Sequence, residues 1–67
     1  MILSRQGLPP VAVEYLEDGK RCYKRAIEED NDDLKDFWLD KAEENFDGAA
    51  FCGVPREYIE YIKRKIA

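Results

Sequence analysis

Few side chains in this sequence of 67 residues could do chemistry. Its nucleophiles are Cys22, Cys52 and the single serine, Ser4. A thiol or hydroxyl becomes a working nucleophile when a neighbouring base, usually histidine, takes its proton. The chain has no histidine and no threonine, so a Ser-His or Cys-His pair cannot form within it. A zinc site needs four N, S or O ligands, and Cys22 and Cys52 are the only soft ones, far from a C-x-x-C spacing. Calcium fares no better. An EF-hand loop counted from Asp30 has Asp32 at its third position but Leu34 at the fifth, Lys35 in place of glycine at the sixth and Lys41 in place of glutamate at the twelfth. The inventory predicts a protein that is not an enzyme and holds no cofactor or metal. Two separated thiols predict buried, reduced cysteines in a reducing compartment, with one structural disulfide as the alternative.

What remains are carboxylates. The chain is 39% charged and formally −4, but that figure hides a segregation. Residues 1–27 hold five basic and three acidic groups, residues 28–47 two basic and ten acidic, and residues 48–67 four basic and two acidic. The middle segment therefore carries −8 between two segments of +2. Asp36, Asp40, Glu43 and Asp47 follow i, i+4, i+7 and i+11, so on a helix they form one ladder of like charges about 5–6 Å apart. Helix stability does not select such a ladder. Its functional reading is a surface for a protein with a basic patch, steered electrostatically and weakened by salt. In a sharper form the carboxylates stand where phosphates would, mimicking nucleic acid for a protein that handles it. The alternative is a solvated face partly compensated by basic residues on neighbouring helices.

The elements that must position this ladder are helical. After Leu8-Pro9-Pro10, where proline suits a first turn, Val11, Ala12, Tyr15, Leu16, Gly19, Cys22, Tyr23, Ala26 and Ile27 share one side of a helix over 10–29. Asp18-Gly19 could instead turn a β-hairpin, but the adjacent apolar pairs Cys22-Tyr23 and Ala26-Ile27 break the alternation strands require. Opposite charges at Glu17/Arg21, Lys24/Glu28 and Arg25/Glu29 should lace this helix at i, i+4. A second helix starts near Asp33, buries Leu34, Phe37, Trp38, Leu39, Ala42 and Phe46, and ends at 47 or, through Gly48, at 52. A third spans 55–66, from Pro55, with Tyr58, Ile59, Ile62 and Ile66 inward. The prediction is an all-α, single-domain, three-helix bundle over 1–67, with residues 1–9 as a flexible arm. Residues 22–29 are similar to the second helix of a tetratricopeptide unit, yet a 34-residue repeat would set Tyr23 and Ala26 against Glu57 and Glu60.

Residues 48–62 resemble a helix-turn-helix. Ala49 and Gly53 match that family's small residue and turn glycine, Cys52 and Val54 its flanking apolar positions, and Ile59 and Ile62 the anchors of its second helix. Gly48 departs from the pattern, standing where a larger apolar residue is usual. The resemblance implies a DNA-binding regulator that contacts phosphates through Arg56 and Arg64, although Glu57 and Glu60 would oppose that approach. Direct nucleic-acid binding therefore ranks behind the acidic face. Phe51 and Tyr61 fall off their helical stripes and are the candidate apolar anchors of an interface. Taken together, the sequence predicts a small regulatory or inhibitory protein that binds a basic partner through Asp36, Asp40, Glu43 and Asp47. A homodimer would help so small a core. No run approaches the roughly 18 apolar residues of a spanning helix, and Met1-Ile2-Leu3, interrupted by Arg5, is too short for a secretion signal, so the expected location is cytoplasmic.

Overall fold

The computed structural model describes residues 8–67, which form three helices and, among the described residues, no strand. They are α1 (Pro10–Glu28), α2 (Asp32–Phe51) and α3 (Arg56–Ile66). Of the expected arm, residues 1–7 lie outside the described residues, and Leu8 rests against the core.

Each boundary has a local cause. Pro9 caps α1 and Pro10 opens it, where a missing N–H costs nothing. The α1–α2 link ends at Asn31, whose side-chain oxygen accepts from the backbone N–H groups of Asp33 (2.9 Å) and Leu34 (3.2 Å). Asp32 and Asp33 then occupy the first turn of α2, where carboxylates suit the helix dipole. Of the two predicted ends for α2 the later one holds. Gly48 lies inside the helix, and Gly53 stops it with φ +110°. The Gly53 N–H donates to the Ala50 carbonyl (3.1 Å) and the Val54 N–H to that of Ala49 (3.0 Å), a Schellman closure sealed by the buried Val54 and Ala49 side chains. Pro55 then caps α3 and does not begin it.

The core comprises Ala12 and Leu16 of α1, Ala42, Phe46 and Ala49 of α2, Val54 of the link, and Ile59 and Ile62 of α3. α1 packs mainly against α2, and two glycines set how closely. A Cβ on Gly19 would stand 2.7 Å from the Phe46 ring, and one on Gly48 would stand 2.8 Å from the Tyr15 ring. Gly19 therefore marks a close helix contact, and the Asp18-Gly19 hairpin does not form.

The helices are unequal. α1 and α2, of 19 and 20 residues, make a hairpin about 28–30 Å long, whereas the 11 residues of α3 span about 16 Å. α3 starts beside the C-terminal end of α2 and leaves the far tip of the hairpin without a third helix. Ile27, Leu34 and Phe37, assigned to buried faces by periodicity, are 41%, 48% and 48% exposed there.

Candidate partner-binding surface

All four ladder residues lie exposed on α2, but the structure divides them into two unlike pairs. Glu43 accepts a hydrogen bond from the Lys63 ammonium at 2.6 Å, and Asp47 pairs with the Arg56 guanidinium at 3.0 Å. These two carboxylates face inward to α3 and help to hold it. Asp36 and Asp40, seven residues earlier on the same side of the helix, have no ion pair and no side-chain hydrogen bond among the described residues.

Lys63 shows how firmly its pair is set. Burial pulls its pKa down, but the hydrogen bond from Lys63 to Glu43 and the charges of Glu43 and Glu60 outweigh this and hold the ammonium above the ordinary lysine range. Its Nζ also lies 3.4 Å from Glu60 and 5.5 Å from the centre of the Phe46 ring. The basic last turn of α3 is thus tied to the acidic helix as well as to the helix dipole.

Towards the tip the charge is uncompensated. Among the described residues Asp30, Asp32, Asp33, Asp36 and Asp40 form no ion pair, and Lys35 is the one cation between residues 30 and 40. Those eleven positions carry the −4 that is also the formal charge of the whole chain. Farther along α2, Lys41 pairs with Glu44 at 3.8 Å and lies 5.6 Å from the Phe37 ring centre, an i, i+3 contact that counting in steps of four misses. The same correction applies to α1. There Glu17 pairs with Lys20 at 3.7 Å and Asp18 with Arg21 at 3.5 Å. Arg25 leaves Glu29 and lies over the Trp38 ring at 5.1 Å, while Glu29 accepts from the Asn31 N–H.

The two aromatic candidates stand on different helices. Phe51 is 93% exposed at the last turn of α2, four residues beyond Asp47, with no ring or cation beside it among the described residues. Tyr61 sits on the outer face of α3, stacked on Tyr58 at 6.3 Å with the Lys65 ammonium 5.8 Å away. Sequence reasoning missed Leu34 and Phe37, which share the tip with the unpaired carboxylates. The signal that could have found them is the short third helix, since a helix of about 11 residues cannot cover a hairpin of about 20.

The helix-turn-helix positions fold as the resemblance implies at Ala49, Val54, Ile59 and Ile62, all buried. Its outer face is less apt for phosphate. Arg56 is engaged by Asp47, and Arg64 shares the surface with Glu57 and Glu60. Cys22 and Cys52 are free, so the disulfide alternative is not realised, but both are half-buried where full burial was expected. Cys22 lines a wide, open groove of about 400 Å³ with Asp18, Arg21, Arg25, Trp38 and Asn45. Among the described residues no three Cys, Asp or Glu side chains gather as a metal site would require, and no helix is long and apolar enough to cross a membrane.

Comparison with known proteins adds no relative: no protein-family model, curated protein or solved structure matches this chain.

Proposed function

We propose that this chain is a small, non-enzymatic regulatory or inhibitory protein that works by binding another protein through the acidic side of α2. The observation that carries the reading is the unpaired state of Asp36 and Asp40 on a helix whose next two ladder carboxylates are both paired. A solvated face retained for stability would be expected to neutralise them too, since each like-charge i, i+4 contact costs about 0.2–0.5 kcal/mol. A basic partner turns that cost into binding energy and gains in association rate from the field. The absence of histidine supports the non-enzymatic part. Phe51, almost wholly in solvent, is the apolar anchor best placed to extend the contact along α2. Mimicry of nucleic acid is the narrower version, in which the partner's own phosphate-binding groove receives the carboxylates.

The test is capture on the immobilised chain at low and high salt, repeated with Asp36→Asn plus Asp40→Asn. The expected result is a basic protein retained at low salt by the wild type, lost at high salt, and lost by the double variant. Equal retention by both chains overturns the reading. Competition by duplex DNA or by RNA for the captured protein distinguishes mimicry from a plain basic docking site. The DNA-binding alternative rests on the turn geometry at Gly53 and predicts duplex binding at low salt that falls in Arg64→Ala.

A further inference from the structure

The face of the hairpin that receives α3 continues, by repetition, past the point where α3 ends. α3 is seated on Glu43 and Asp47, which take its cations, and on Phe46, beneath Lys63, with Leu16 of α1 beside Tyr58 and Ile62. Seven residues towards the tip, two turns along the same side of α2, the triplet Glu43, Phe46, Asp47 recurs as Asp36, Leu39, Asp40. On α1, Tyr23 and Ile27 follow Leu16 at i+7 and i+11 on the same face. Leu39 and Tyr23 are half-buried, and Ile27 is 41% exposed. Taken as the hairpin's length less that of α3, this stretch of the face is about 12–14 Å long.

We infer that this tip groove is a second seat for a helix, and that its occupant is a basic amphipathic helix of another protein. The inference rests on the acidic-face reading above and names the partner's chemistry. α3 supplies the pattern required: cations seven apart, Arg56 and Lys63, with apolar residues between them at Ile59 and Ile62. The occupant's cations meet Asp36 and Asp40, and its apolar stripe covers Ile27 and Leu39, the helix-in-groove mode of recognition. Charge argues against a second copy docked tip to tip, because each tip carries the same uncompensated carboxylates. With two turns of contact the complex is weak and fast unless the partner extends beyond the groove.

The experiment titrates the full chain, labelled for NMR, with a synthetic helical peptide carrying lysines at i and i+7 and isoleucines at i+3 and i+6, and with a shuffled peptide of identical composition. The patterned peptide is expected to shift Tyr23, Ile27, Asp36, Leu39 and Asp40 and to bind about five- to tenfold more tightly than the shuffled one. Ile27→Ser and Asp36→Asn plus Asp40→Asn should each weaken it by about the same factor. If the two peptides bind alike and only the aspartate variant loses both, the acidic face stands and the helix seat is wrong. If the aspartate variant binds both peptides as the wild type does, the reading of the acidic face fails with it. Shifts confined to Glu43, Phe46 and Asp47 would mean that the peptide displaces α3, and sedimentation as a dimer that buries Ile27 would give the groove to a second copy. Either result overturns the inference.

Discussion

Gly19 and Gly48 offer a paired perturbation in which the same substitution should have opposite outcomes. In each, alanine favours the helix by about 1 kcal/mol through lost freedom of the unfolded chain and better propensity. In each, the new methyl meets a ring at under 3 Å: Phe46 Cε1 at 2.7 Å and Cδ1 at 2.8 Å for Gly19, Tyr15 Cδ1 and Cε1 at 2.8 Å for Gly48. Carbon atoms rest about 3.5–4.0 Å apart, so either ring must move by roughly 1 Å. Phe46 has nowhere to go. It is wholly buried, meets Tyr23 edge-on at 6.3 Å between centroids and lies under the Lys63 ammonium. Overpacking of that kind costs about 2–3 kcal/mol, leaving Gly19→Ala about 1–2 kcal/mol less stable than the wild type. Tyr15 is 36% exposed and can swing into solvent, so Gly48→Ala should lie between neutral and about 1 kcal/mol more stable. Urea unfolding followed by far-ultraviolet circular dichroism reads both, with each kcal/mol also moving Tm by about 4–8 °C in a domain of this size. If Gly19→Ala is as stable as the wild type, or Gly48→Ala loses as much as Gly19→Ala, the close helix contact is not what these glycines provide.

The ladder's two halves should respond oppositely to neutralisation: Asp36→Asn plus Asp40→Asn should raise stability by about 0.3–0.5 kcal/mol, whereas Glu43→Gln plus Asp47→Asn should lower it by about 1 kcal/mol and loosen α3, both read by thermal melting. The Lys63 contribution has a definite pH sense. Because its folded pKa is raised, the contribution is complete below the ordinary lysine value of 10.5 and is lost as pH rises through the folded value. Lys63→Met should therefore be less stable than the wild type at neutral pH and show a shallower alkaline decline, and an unchanged alkaline decline would contradict the assignment. Phe51→Ser should leave stability within about 0.5 kcal/mol while weakening partner capture, and a large loss of stability would place the ring in the fold.

Much of the fold was legible because its signals are local. Pro9-Pro10, the Asn31 cap, Gly53 and Pro55 each act within a few residues of themselves, so helix existence and order follow from composition and period. Gly48 misleads as a stop because its role depends on Tyr15, 33 positions away in the chain. The surface was less legible for the same reason. Charge arithmetic along one helix sees Asp36, Asp40, Glu43 and Asp47 as equals. Only tertiary structure brings Lys63 and Arg56 to two of them and leaves the others alone. Arg25 fits Glu29 by spacing yet lies over Trp38, because the Glu29 carboxylate accepts from the Asn31 N–H at the helix end while the half-buried indole offers the planar cation a face. Leu34 and Phe37 belong to the apolar stripe by period but lack cover, since period describes a face and says nothing of the length of the helix opposite it.

The stack of Arg25 on Trp38 has a spectroscopic consequence. Trp38 is the chain's one indole and sits at the tip, whereas of the four tyrosines Tyr15 and Tyr23 belong to α1 and Tyr58 and Tyr61 to α3. Excited selectively, the indole reports whether α1 and α2 are still zipped at the tip, and with Tyr15 and Tyr23 replaced by phenylalanine the two remaining phenol rings report whether α3 is docked. Coincident transitions would make the molecule one cooperative unit. An indole signal that changes first, with the phenols and helicity still native, would show the tip opening on its own, without any label attached.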